Sequence, residues 1–141
     1  MKIVIASDHA GYDYKEEIKK HLIEKGHSVE DCGTNSEESC DYPIFAQKAA
    51  KKVASGEAQY GILVCSSGEG IAIAANKVKG IRAGIAYNDD VARLMRQHNN
   101  ANMISFGANF MKLKHVLKRI DIFLETEFEG GRHERRVNEI E

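Results

Sequence analysis

A chain of 141 residues with 20 Lys and Arg against 21 Asp and Glu has length for one packed domain and a formal net charge of -1. That balance, without a polybasic or acidic block, argues against nucleic acid or an anionic membrane as the expected partner. Cys32, Cys40 and Cys65 carry no C-x-x-C spacing, which predicts free thiols in a reduced compartment rather than a disulfide framework or zinc knuckle. The chain opens directly on a strand pattern, so the expected setting is the cytoplasm.

The elements alternate. Ile3–Ala6 is a short apolar strand, and Ser7-Asp8-His9-Ala10-Gly11 is its polar exit. Tyr14, Ile18 and Leu22 make one stripe of a helix whose other faces carry Lys and Glu, and Gly26 ends it. His27–Cys32 reads as a second strand with Val29 inward. A polar loop, Gly33 to Asp41, leads to Tyr42-Pro43, where the only proline predicts a first helical position. Phe45, Ala49 and Val53 carry that helix, and Ser55-Gly56 ends it. Ile62-Leu63-Val64 is a third strand, running into Cys65-Ser66-Ser67-Gly68-Glu69-Gly70 and then a helix marked by Ile71, Ala74, Ala75 and Val78.

Ile81–Ala86 is the fourth strand, and Asn88 or Asp89 caps a helix through Val91, Leu94 and Met95. Met103–Phe106 is the fifth. Leu113, Val116, Leu117, Ile120, Phe123 and Leu124 give the strongest helical period, and Gly130–Arg136 opens a last helical segment. This succession predicts a single domain over residues 1–141, an α/β fold: a three-layer α/β/α sandwich, Rossmann-like, on a five-stranded parallel sheet. The flavodoxin-like strand order 2-1-3-4-5 is the first expectation.

In a parallel sheet the loops that follow the strands share one edge. That edge gathers Asp8-His9, the Gly33–Tyr42 loop, Cys65–Gly70, Tyr87-Asn88 and the segment after Phe106. Cys65 reads either as a small hydrophobe closing a buried strand or as a reactive thiol. The glycine turn, the hydroxyls of Ser66 and Ser67 and a helix N-terminus favour the second, because helix N-termini stabilise thiolates. Cys32 and Cys40 lack such company. No Lys-Ser or Lys-Thr follows Gly68 and Gly70, and no third glycine with a downstream acid completes a dinucleotide fingerprint, which disfavours a nucleotide site.

Asp8 either caps the first helix or lines the pocket, and His98-Asn99 either closes a helix or serves the site. Arg132 and Arg136, one helical turn apart, make either a solvated face paired with Glu129 or Glu134, or a phosphate clamp. His21, His27 and His115 receive no role, and histidines without metal-ligand spacing predict no metal.

Six motifs then fall in order: S-D-H-A-G at Ser7–Gly11, D-Y-P at Asp41–Pro43, C-S-S-G-E-G-I-A-I-A-A-N-K at Cys65–Lys77, G-I-R-A at Gly80–Ala83, H-N-N-A-N at His98–Asn102, and G-G-R-H-E-R-R at Gly130–Arg136. Through them the whole chain resembles the type B ribose-5-phosphate isomerases, in the group that includes the galactose-6-phosphate isomerase subunits. The resemblance implies a cofactor-free aldose–ketose isomerase working through a cis-enediolate. Cys65 would be the base; Ser67 and the amides of Gly68 and Gly70 would hold the enediolate oxygens. His98 would open the sugar ring with Asn99 beside it, both from a second subunit. Asp8 and Tyr42 would line the sugar site, and His9, Arg132 and Arg136 the phosphate. A homodimer with shared sites, or a tetramer, is implied.

The chain departs from that pattern at Ser66, where relatives commonly have glycine, at Glu69, where they have an apolar residue, and at Asn109, where they place a phosphate-binding arginine. Glu69 reads as a solvent-facing acid at a helix start, favourable to the dipole. The readings left open are an isomerase of another aldose phosphate (allose 6-phosphate or a four-carbon sugar phosphate), a non-catalytic sugar-phosphate-binding protein, and a redox or acyl-transfer enzyme using Cys65 with His98.

Overall fold

In the computed structural model, which describes residues 1–141, strand and helix alternate as the hydrophobic periods demand. The chain runs β1 (Lys2–Ser7), α1 (Tyr12–Glu24), β2 (Ser28–Asp31), α2 (Tyr42–Ala54), β3 (Tyr60–Cys65), α3 (Glu69–Asn76), β4 (Ala83–Ile85), α4 (Asp89–Gln97), β5 (Met103–Gly107), α5 (Leu113–Glu125) and α6 (Arg132–Ile140). All pairings are parallel, in a five-stranded sheet of order β2-β1-β3-β5-β4. No helix is long and apolar enough to cross a membrane.

The period-two alternation of the strands divides the core into two layers. Ile3, Ile5, Ile62, Val64, Ile104 and Phe106 meet α1, α4 and α5 through Ile18, Leu22, Met95, Val116, Ile120 and Phe123. Val4, Ala6, Leu63, Cys65 and Met103 meet α2 and α3 on the other face through Ala46, Ala49, Ala50, Ala74 and Ala75. The sandwich is therefore three layers deep, and the α2–α3 side is floored with alanine.

The structure revises the expected order of the last two strands. β5 is buried along its whole length, whereas β4 is three residues long and only half-buried. The apolar strand takes the interior position beside β3, and the short one takes the edge. The structure also fixes local details. Asp8 does not cap α1, whose N-cap is Gly11; its Oδ1 instead accepts the Ala10 and Gly11 amides at 3.0 and 3.1 Å. Helix α2 begins at Tyr42, leaving Pro43 inside a first turn whose N–H groups need no helical acceptor. Asn88 caps α4, accepting the Val91 amide at 2.8 Å.

Lys15 lies off the apolar stripe of α1, among the Lys and Glu of its other faces. Its side chain is nevertheless fully buried, with Nζ 2.5 Å from Asp31 and 2.8 Å from Glu16. Lys19 adds a contact of 2.8 Å to the same Asp31 oxygen. Burial alone would raise the Asp31 carboxyl, but the Lys15 and Lys19 ammoniums and the Gly33 N–H outweigh it and hold it below the usual carboxylate range.

Candidate active site

The ends of β1 and β3 and the loop after β5 meet at the C-terminal rim of the sheet. Cys65 closes β3 with its side chain turned toward α3, buried at 5% exposure. The backbone turns back over it at Gly68, whose φ of 84° is a left-handed conformation that glycine adopts without a Cβ penalty. This turn brings the Gly68 N–H to 3.2 Å from Cys65 Sγ. The sulfur is thus fixed as a hydrogen-bond acceptor at the head of α3. Ser67 Oγ accepts the Glu69 amide at 3.2 Å, and Glu69 itself is exposed in the first turn of α3. With the Gly68 and Glu69 amides so engaged, Gly70 and the residues after it hold the α3 N–H groups that lack helical acceptors.

The loop is braced from beneath. Ser105, a buried polar residue in the middle of β5, donates its hydroxyl to the Gly68 carbonyl at 2.7 Å. Gly107 lies so close to the Ser67 backbone that any Cβ there would collide with it. The Ala108 amide donates to the Cys65 carbonyl at 2.9 Å and the Asn109 amide to the Ser66 carbonyl at 3.1 Å. Asn109 Nδ2 also donates to Ser66 Oγ at 2.6 Å. Two of the chain's departures from the resembled pattern therefore touch each other. Sequence reasoning missed Ser105 and Gly107; a serine and a glycine interrupting the apolar run M-I-S-F-G were the available signal.

Around this loop stand Asp8, His9 and Tyr42. Asp8 is 7% exposed, its carboxylate engaged by the turn amides and its own N–H donating to the Val64 carbonyl at 3.3 Å. His9 Nδ1 accepts the Cys40 amide at 3.3 Å, which leaves Nε2 as the nitrogen free to reach outward. Tyr42, half-exposed, packs its ring over Gly70, where a Cβ would lie 2.7 Å from the ring. Cys32 is buried away from the loop, and burial followed by the nearby Glu30 pushes its thiol up, in keeping with an unreactive residue.

His98, Asn99, Arg132 and Arg136 are elsewhere. Helix α4 runs antiparallel to the strands, so its end falls at the N-terminal rim. Arg96, buried in its last turn, lies over Tyr60 with 4.9 Å from guanidinium to ring centroid, and Tyr60 is the first residue of β3. The six residues of β3 put Cys65 roughly 16 Å further along the strand. At this second rim His98 closes α4 and stacks on His133 of α6, with ring centroids 4.3 Å and planes 13° apart. Glu129 Oε1 lies 3.7 Å from Nε2 of each ring. Burial, then the adjoining His98 ring and Arg132, push the His133 imidazole below the usual histidine range. Asn99, Arg132 and Arg136 are exposed, and the arginines pair with neither Glu129 nor Glu134. The spacing of the histidines in sequence gave no sign of this cluster, since its members come from three segments.

Neither of the two surface cavities includes Cys65; the larger, about 690 Å³, lies between α3, β4 and the chain end at Arg82 and Glu141.

The sequence profile of the ribose/galactose isomerases matches residues 3–140. The chain belongs to this family. Among the family's curated members, ribose-5-phosphate isomerase B of Escherichia coli is 45% identical over 139 residues, covering 99% of this chain and 93% of that protein. The structure of a Clostridium thermocellum ribose-5-phosphate isomerase B superposes with a TM-score of 0.98 at 48% identity, covering 99% of this chain and 95% of that one. A Mycoplasma genitalium ribose-5-phosphate isomerase B, solved with bound ribulose 5-phosphate, gives a TM-score of 0.95 at 42% identity, with 99% and 93% covered. The α/β sandwich is thus the fold of this isomerase family.

Proposed function

We propose that this protein interconverts ribose 5-phosphate and ribulose 5-phosphate, with Cys65 as the base. The observation that carries the reading is the Cys65 sulfur, held at the head of α3 by the Gly68 N–H at 3.2 Å. A base in that position can take the proton from C2 of the open-chain aldose. The C–H electron pair then forms the C1–C2 double bond of an enediolate as the C1 carbonyl pair moves onto O1; return of the proton to C1, with the O2 proton passing to O1, gives the ketose. The developing oxyanion is met by the unpaired N–H groups of α3, led by Gly70, and by the Ser67 hydroxyl. Family membership and the named relatives support the same substrate pair.

Asp8 and Tyr42 line the sugar, and His9 reaches toward the phosphate. His98, as the acid–base group that opens the ring, Asn99, and the Arg132–Arg136 clamp enter from a second copy of the chain. Their position on the opposite rim, roughly 16 Å from Cys65 along the strand direction, supports this assignment. The working unit is then a homodimer with two shared sites.

The deciding experiment is a coupled assay of ribulose 5-phosphate formation by the wild-type protein beside Cys65→Ala. Turnover lost by about 10³-fold or more in a folded variant is expected of the base. Equal turnover in the variant rejects that role. Absence of turnover in the wild type, with allose 6-phosphate and a four-carbon aldose phosphate tested in parallel, rejects the substrate.

A further inference from the structure

We infer that His98, Glu129 and His133 form a binding site for a zinc-class divalent cation, and that an ion held there withdraws His98 from ring opening. The second half rests on the functional reading above; the first does not.

The donor atoms of these three side chains lie within 4.8 Å of one another. Both ring Nε2 atoms face the same carboxylate oxygen at 3.7 Å, too far for a hydrogen bond. Ligands about 2.1 Å from a tetrahedral ion stand about 3.4 Å apart, so these two separations are within a few tenths of an ångström of that spacing. Two imidazoles and a carboxylate make a three-ligand set that leaves a fourth position open, and imidazole selects zinc-class ions over magnesium or calcium.

The backbone frame is already built, while the two imidazoles, stacked with planes 13° apart, must turn about their side-chain torsions to aim both lone pairs at one ion. The Glu129 amide donates to the Gln97 carbonyl at 3.1 Å, tying the loop to the end of α4, and the His133 amide donates to Gly130 at 3.1 Å in the first turn of α6. Arg132 and Arg136 flank His133 on α6 and oppose a cation, so the affinity belongs in the micromolar range rather than that of a structural zinc site. An ion at this point uses the His98 Nε2 lone pair, and the ring can then neither take nor give a proton there.

Metal-free full-length protein titrated with zinc chloride in a calorimeter should bind one ion per chain. His133→Asn and Glu129→Gln should each weaken that binding by at least about tenfold. Cobalt(II) in place of zinc should give ligand-field bands without thiolate charge-transfer bands. Unchanged affinity in both variants, or thiolate bands placing the metal on a cysteine, would overturn the site. In the isomerase assay, zinc should inhibit the wild type at concentrations about tenfold below those needed for Glu129→Gln; equal sensitivity would overturn the withdrawal of His98. If the metal-free protein does not turn over ribose 5-phosphate, the functional reading falls, while the calorimetric and spectroscopic results still decide the metal site.

Discussion

Single side chains in this protein are legible when their partners are covalently near and obscure when they are not. Cys65 declared itself through the glycines and hydroxyls that follow it. Its actual constraint, the Gly68 amide turned back by a left-handed φ, needed the folded loop. His98 shows the same limit: its contacts come from residues more than thirty positions downstream. On the proposed reading, His98→Asn should lower kcat/KM for ribose 5-phosphate by about 10²-fold or more. It should cost less than about tenfold for a four-carbon aldose phosphate, whose phosphorylated O4 cannot close a furanose ring. Equal losses on the two sugars would remove the ring-opening role. At Ser7 the expectation concerns stability. Its hydroxyl is the one buried side-chain polar atom without a hydrogen-bond partner, at the fully buried end of β1. Replacing an unpaired buried hydroxyl by hydrogen removes a desolvation cost, so Ser7→Ala should be neutral or stabilising by up to about 1 kcal/mol in urea unfolding. A loss of 2 kcal/mol or more (a rough threshold) would contradict this.

Among the elements, the five strands and the first five helices followed from hydrophobic period and turn residues, because each needs only its own stretch of sequence. Strand order did not. A right-handed crossover can carry β4 to either neighbouring slot, and what decided the matter was the burial of β5 against the brevity of β4. The buried ammonium of Lys15 was equally hidden, since a lysine between apolar stripe positions reads as solvent-facing until β2 supplies Asp31 beside it. That contact ties α1 to β2 and should make stability depend on pH. The Asp31 carboxyl is held below its ordinary range in the folded chain, so its contribution is present above the unfolded value and is lost as pH falls through the folded one. Urea unfolding from neutral pH into the acid range below normal carboxylate titration should show this loss. Asp31→Asn should flatten that part of the profile and cost about 3 kcal/mol at pH 7, near the lower end for breaking a buried pair because Glu16 still meets Lys15. An unchanged acid limb in the variant would assign the dependence to other carboxylates.

For the molecule as a whole, the two rims set the proposed catalytic unit. Cys65 and its loop stand at one end of the sheet and His98 at the other, so no single copy assembles both. Inactive Cys65→Ala and His98→Asn chains, unfolded together and refolded in equal amounts, should form mixed dimers in which one pocket keeps both wild-type residues. Random pairing makes about half of the dimers mixed, so about a quarter of wild-type activity should return. No recovery beyond the sum of the separate variants, with mixed dimers demonstrated, would show that the two residues do not share a pocket across chains. The alanine floor beneath α3 has a consequence of another kind. Ala46, Ala49, Ala50, Ala74 and Ala75, all buried, have no more than a methyl each to trim below the thiol loop. Laboratory evolution toward a longer or shorter sugar therefore has few productive moves from underneath. Its accepted changes should collect at the exposed rim positions, Tyr42, Glu69 and Asn109, while the floor stays invariant as new specificity is selected above it.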